Sequence, residues 1–152
     1  MIKFLEPVDH QRWDQFVEAS NIATFFHLSA WQRVIQQAFS HKTYYVYAEQ
    51  EGEIAGILPL VHVKSLLFGN TLISNAFCVY GGIVASNDQA FQELQNYAQK
   101  LARELGVDCL EMRNRQQQHP DWPHKQLYVT FRKELDSDHE KNMSAIDRKS
   151  VV

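Results

Sequence analysis

Apolar residues recur along the chain with two different periods, and the switches between them mark its elements. Ile2, Phe4 and Leu5 form a short strand-like run ended by Pro7, after which Asp9 stands where a helix cap belongs and Trp13, Phe16 and Val17 fall at helical spacing. A second helix is predicted from Ser29, with Trp31, Val34, Ile35, Ala38 and Phe39 as one apolar stripe. From Thr43 the period shortens to that of strands: TYYVYAEQ, a turn at Glu51-Gly52 and EIAGILPLVHVK read as a hairpin. Pro59 in its second strand has no amide to donate, so either a bulge forms there or that position faces away from a neighbour. A turn at Gly69-Asn70 leads into a third strand, TLISNAFCVYGGIVA. Ser86 and Gln89 form a capping-box pattern for the longest helix, whose face of Phe91, Leu94, Ala98, Leu101 and Leu105 stops at Gly106. VDCLEMR then reads as a strand, NRQQQHPDWPHKQ as a polar loop, LYVTFRKEL as a strand, and residues 136–152 as a cap and the start of a helix.

The resulting order, β-α-α-β-β-β-α-β-β-α, predicts an α/β chain of the α+β kind: a mixed sheet flanked by helices, not an alternating doubly wound one. A length of 152 residues suits one core, placed in residues 1–135, with 136–152 as the beginning of a linker helix. The formal charge of −3 gives no basic field for nucleic acid or an anionic membrane. No apolar run reaches the roughly 20 residues of a membrane span, and the start of the chain lacks the apolar core of a signal peptide. Cys78 and Cys109 sit in apolar runs and read as small core residues of a reducing compartment, so a cytoplasmic location is expected.

Candidate chemistry gathers around the third strand. Tyr80-Gly81-Gly82 ends it, and adjacent glycines allow either the close approach of an extended substrate or a bulge that bends the sheet. Arg113 can clamp a carboxylate or phosphate with two parallel hydrogen bonds, or pair with Glu111. Trp31 suits a cleft wall less well than core packing, and Lys64 suits a solvated edge better than an anion contact. His119 and His124 flank Asp121 but lack a third well-placed ligand, so no metal is expected. No Gly-x-Ser-x-Gly elbow exists to present a nucleophile. Glu111 and Tyr80 are candidates for a base, and neither is singled out.

Ser29-Ala30-Trp31, Gly56-Ile57-Leu58-Pro59-Leu60, Tyr80-Gly81-Gly82 and Leu110-Glu111-Met112-Arg113-Asn114, taken in order, resemble the first half of the FemAB-like N-acyltransferases, tandem proteins of the GNAT superfamily. The nearest resemblance is to the type found beside exosortase and exopolysaccharide systems. It implies a GNAT fold whose sheet splays where two parallel strands part, and a substrate site formed by Tyr80, Gly81, Gly82, Arg113 and Asn114. It also implies that an acceptor amine attacks the acyl donor directly while a base takes its proton.

Coenzyme A in that superfamily lies on Arg/Gln-x-x-Gly-x-Gly/Ala ahead of the helix, whereas this chain has IVASNDQAFQE, with no glycine after Gly82 and Asp88 in the first turn. This half is therefore expected to bind no cofactor. Acyl-CoA or aminoacyl-tRNA would serve the complete protein, and the acceptor would be an amine-bearing envelope or polysaccharide precursor. Members of the resembled family run to about twice this length, and DHEKNMSAIDRKSVV resembles the start of their connecting helix. The expectation is a first half, inactive alone. Two alternatives stand beside it: a noncatalytic module that self-associates as a homodimer, and a stand-alone acetyl-CoA-dependent N-acetyltransferase.

Overall fold

The computed structural model describes residues 1–65, 69–118, 121–125, 131 and 133–146. Contacts divide the chain into two bodies, Met1–Gln118 and His119–Val152. In the first, β1 (Ile2–Phe4) precedes α1 (His10–Ala19) and α2 (Ala30–Phe39). The strands β2 (Lys42–Gln50), β3 (Glu53–Ser65), β4 (Gly69–Ser74) and β5 (Val84–Ala85) follow, then α3 (Asp88–Leu105) and β6 (Cys109–Glu111). The sheet runs β1-β2-β3-β4-β6 with β5 paired to β3, and every pairing is antiparallel except β4 with β6. A mixed sheet flanked by helices is thus observed, in the predicted element order through β6 except that the single strand expected at TLISNAFCVYGGIVA is two, β4 and β5, separated by residues 75–83. The strand expected at LYVTFRKEL falls largely outside the described residues.

Both faces of β2 are buried, and its alternation sorts residues between two cores. Tyr44, Val46 and Ala48 join Leu58, Leu60 and Leu72 beneath Ala90, Leu94, Ala98 and Leu101 of α3. Tyr45 and Tyr47 join Ile57 and Val61 against Trp13 and Val17 of α1 and Ile35 of α2. The bulge lies between Ala48 and Glu49, opposite Ala55, rather than at Pro59. It turns the Ala55 carbonyl to the amide and hydroxyl of Ser86, at 2.8 and 3.0 Å.

Three expectations are corrected. Asn87, one residue beyond Ser86, caps α3: its Oδ1 accepts from the Ala90 amide at 2.9 Å, because the Ser86 hydroxyl is held by the bulge. On α2 only Ile35 is buried, in the core it shares with α1; Val34 and Phe39 remain 41% and 44% exposed. Cys109 is exposed on β6, whereas Cys78 is buried. Ser29 begins α2 as expected but makes no cap bond; its amide and hydroxyl bind Asp14 of α1, at 2.7 and 2.9 Å.

In the second body, α4 (His139–Ser144) starts at Asp138, whose carboxylate accepts from the Glu140 amide. Asn142 returns both side-chain atoms to the backbone of Asp136. Among the described residues no helix is long and apolar enough to cross a membrane. Because Asn87 satisfies one of the free amides of α3, Asn87→Ala is expected to cost about 1 kcal/mol, read as a lower urea midpoint at unchanged slope.

Candidate functional site

One line of the sheet is interrupted to make the site. Along β3, residues 60–65 pair with β4 and residues 56–57 with β5, so β4 and β5 lie on the same edge of β3. Between them residues 75–83 leave the ladder and return to it. The departure is set by Pro59. Its carbonyl accepts from the Asn75 amide at 2.6 Å, but it has no N–H to return to the Asn75 carbonyl, which accepts instead from the Cys78 amide at 3.2 Å. Of the two arrangements expected at Pro59, its missing donor faces the place where the neighbouring strand has left.

Asn75 holds the start of this excursion. It is fully buried and left-handed at φ 47°, a region that asparagine enters more readily than other side chains. Its Oδ1 accepts from the Tyr45 hydroxyl at 2.9 Å, and its Nδ2 donates to the Phe26 carbonyl. Burial raises the Tyr45 hydroxyl well above its ordinary pKa, so it stays a donor.

Arg113 holds the end. Its carbonyl accepts from the amides of Gly81 and Gly82, both at 3.1 Å, and its own amide donates to Ser74 Oγ at 2.7 Å. Its Nη1 donates to the Cys78 carbonyl at 2.6 Å and its Nε to Glu111 at 2.7 Å. The chain's own backbone therefore fills the gap beyond the parallel β4–β6 pair. A Cβ on Gly81 would lie 2.4 Å from Asn75 Cβ, and one on Gly82 would lie 1.9 Å from Asn114 Oδ1. These glycines are required by close approach of protein to protein.

Behind the excursion lies a cavity of about 220 Å³. His27, Gly82, Ile83 and Val84 form its buried floor, Tyr80, Arg113 and Asn114 its walls, and Asn21, Ile22, Arg115, Gln116 and Gln118 its exposed rim. Four of the five sequence-predicted site residues meet here; Gly81 lies behind the wall, against Ser74 and Asn75. Trp31, expected in the core, packs half-buried against the core of Trp13 and Ile35 and outside the cavity, with its indole N–H on the Phe25 carbonyl at 3.1 Å.

His27 was not foreseen from the sequence. Its Nδ1 accepts from the Thr24 amide at 3.1 Å, which leaves the proton on Nε2, 3.1 Å from the Gly82 carbonyl. Burial lowers its pKa below the ordinary 6.5, so the ring is neutral near pH 7. Burial likewise pushes the Cys78 thiol up to about 11, which keeps it protonated. Asn114 Oδ1 is buried without a hydrogen-bond donor. Thr24 and His27, three apart and flanking Phe25-Phe26, are the reciprocal cap signal that sequence reading passed over.

The sequence matches no protein-family model and no curated protein. Solved structures do resemble it. A transcriptional regulator from Bacillus halodurans C-125 aligns at 12% identity with a TM-score of 0.56, over 89% of this chain and 99% of its own. An aminoglycoside antibiotic 6'-N-acetyltransferase from Acinetobacter haemolyticus aligns at 13% identity and 0.55, over 90% and 99%. FemX aligns at 17% identity and 0.52, over 70% of this chain and 25% of its own length. At these identities the likeness establishes the fold alone, one that this chain shares with the aminoglycoside 6'-N-acetyltransferase and with FemX.

Asn75→Ala removes the partner of the buried Tyr45 hydroxyl and a partner of the half-buried Phe26 carbonyl, and a loss of about 3 kcal/mol is expected by urea denaturation. His27 binds a proton more weakly folded than unfolded, so stability should fall as pH drops below 6.5 toward the folded pKa and be fully present above it. His27→Gln should flatten that part of a plot of melting temperature against pH.

Proposed function

We propose that this chain is the acceptor-holding, first half of a FemAB-like N-acyltransferase that modifies an amine-bearing precursor in cell-envelope or exopolysaccharide synthesis in the cytoplasm, and that it does not turn over alone. The observation that carries this reading is the parting of β4 and β5 around residues 75–83, which opens a cavity of mixed polar and apolar lining in an N-acetyltransferase fold. The envelope setting follows from the sequence resemblance to the FemAB-like proteins, and the likeness to FemX supports it at the level of fold.

Coenzyme A, implied by the fold family, does not fit the residues ahead of α3. The Ser86 amide is bonded to Ala55, Asn87 caps Ala90 with its own side chain, and Asp88 sets a carboxylate in the first turn. The amides of Gly81 and Gly82 are bonded to Arg113. A pyrophosphate needs such amides free and a positive helix end. The donor, acyl-CoA or aminoacyl-tRNA, therefore belongs elsewhere in the complete protein. The residues here orient an acceptor: His27 and Arg113 fix the wall on which it would lie.

A second reading, self-association as a homodimer, is favoured by the exposed aromatic pair Phe39 and Phe77, stacked at 4.1 Å beside exposed Val34 and Val79. Sedimentation over a range of concentrations separates it from a monomeric domain. For the leading reading, melting of the chain with acetyl-CoA is expected to show no shift. A ligand at 100 times its dissociation constant would add about 2.7 kcal/mol, and a rise of that size, or acetyl transfer to an amine by this chain alone, overturns it.

A further inference from the structure

We propose that the cavity behind residues 75–83 is a carboxylate site whose charge comes from Arg115, so that the acceptor it holds carries a carboxylate. Arg113 is poorly placed for this role, because its Nε binds Glu111 and its Nη1 binds the Cys78 carbonyl. His27 contributes no charge, and its Nε2–H is held by the Gly82 carbonyl. Arg115 differs from both. Among the described residues its guanidinium makes only a long 3.5 Å contact to the Ile22 carbonyl and has no carboxylate partner. No acidic residue lines the cavity among the described residues either.

A planar guanidinium matches a carboxylate with two parallel hydrogen bonds, and the field here is uncontested by any acid of the wall. A phosphate would need several converging donors, such as a nest of free amides, and the amides of Gly81 and Gly82 already serve Arg113. The apolar floor of Ile83 and Val84 and the amide side chains of Gln116 and Gln118 at the rim suit a carboxylate attached to an amide, as at the end of a short peptide. The ligand class deepens the acceptor-holding reading and rests on it, but binding can be measured with no acyl donor present.

The test is a titration of the 15N-labelled chain, followed by NMR at constant ionic strength, with N-acetylglycine, its neutral analogue N-acetylglycinamide, and inorganic phosphate. N-acetylglycine is expected to give saturable shifts at Gly82 and at residues 114–116, with a dissociation constant on the order of millimolar for so small a probe. The neutral analogue and the Arg115→Gln variant should each bind about tenfold more weakly or worse. Equal binding of the neutral analogue, tighter saturation of the same residues by phosphate, undiminished binding by Arg115→Gln, or no saturation by N-acetylglycine overturns the assignment. Because Arg115 is exposed, its replacement leaves the fold intact. A chain that binds the carboxylate yet stabilises with acetyl-CoA would instead overturn the division of labour proposed above and leave the carboxylate site standing.

Discussion

The architecture turns on one missing hydrogen atom. Pro59 accepts from its neighbour across the sheet and has nothing to give back, so the Asn75 carbonyl turns to Cys78 and the strand cannot continue. In most sheets an interruption of this kind would leave buried polar groups without partners. Here Asn75 answers with its own side chain, tying Tyr45 of β2 and Phe26 of the preceding turn to the point of departure. The break is stabilised from three directions, by Tyr45, Phe26 and Cys78.

Arg113 completes what Asn75 begins. Placed just beyond the parallel pairing of β4 and β6, it uses its backbone to collect Gly81 and Gly82 and its guanidinium to collect Cys78. The glycines are then a matter of space, since a methyl group on either would overlap Asn75 or Asn114. His27 closes the same wall from the helical side through the Gly82 carbonyl. Each of these residues restrains the excursion through a buried or half-buried bond, and the cavity is the volume left between them and the exposed rim.

Much of this was legible in the chain and some was not, for reasons that differ by residue. The hairpin of β2 and β3 and the long helix α3 followed from period and turn chemistry, because burial on both faces or on one stripe leaves a direct trace in the sequence. The stripe of α2 misled: apolar spacing specifies a face but not whether a neighbour covers it, and of this stripe only Ile35 is fully covered. Ser86 was a reasonable cap by pattern, yet a bulge at Ala55, invisible in one strand read alone, claimed its hydroxyl and passed the role to Asn87. Pro59 announced an irregularity without saying which. Tyr80, Gly82, Arg113 and Asn114 were drawn together by resemblance and do meet at the cavity, while His27 and Asn75 were missed because their partners lie 55 and 49 residues away along the chain.

The two ends of the excursion, Ser74 and Val84, are both held by the same strand, opposite Leu60 and Ile57. The anchors are therefore nearly adjacent, and the segment between them is a closed loop on a finished scaffold. Lengthening a loop whose ends are already fixed carries only a slowly growing entropic cost, about 0.6 kcal/mol for each doubling. Its exposed positions, Phe77 and Val79, can therefore be varied or extended while the buried Asn75, Ala76, Cys78, Gly81, Gly82 and Ile83 keep their places against β3. Within this one segment the buried positions serve the fold and the exposed ones are left to recognition, and a library varied only at the exposed ones would reshape the outer surface on an unchanged sheet.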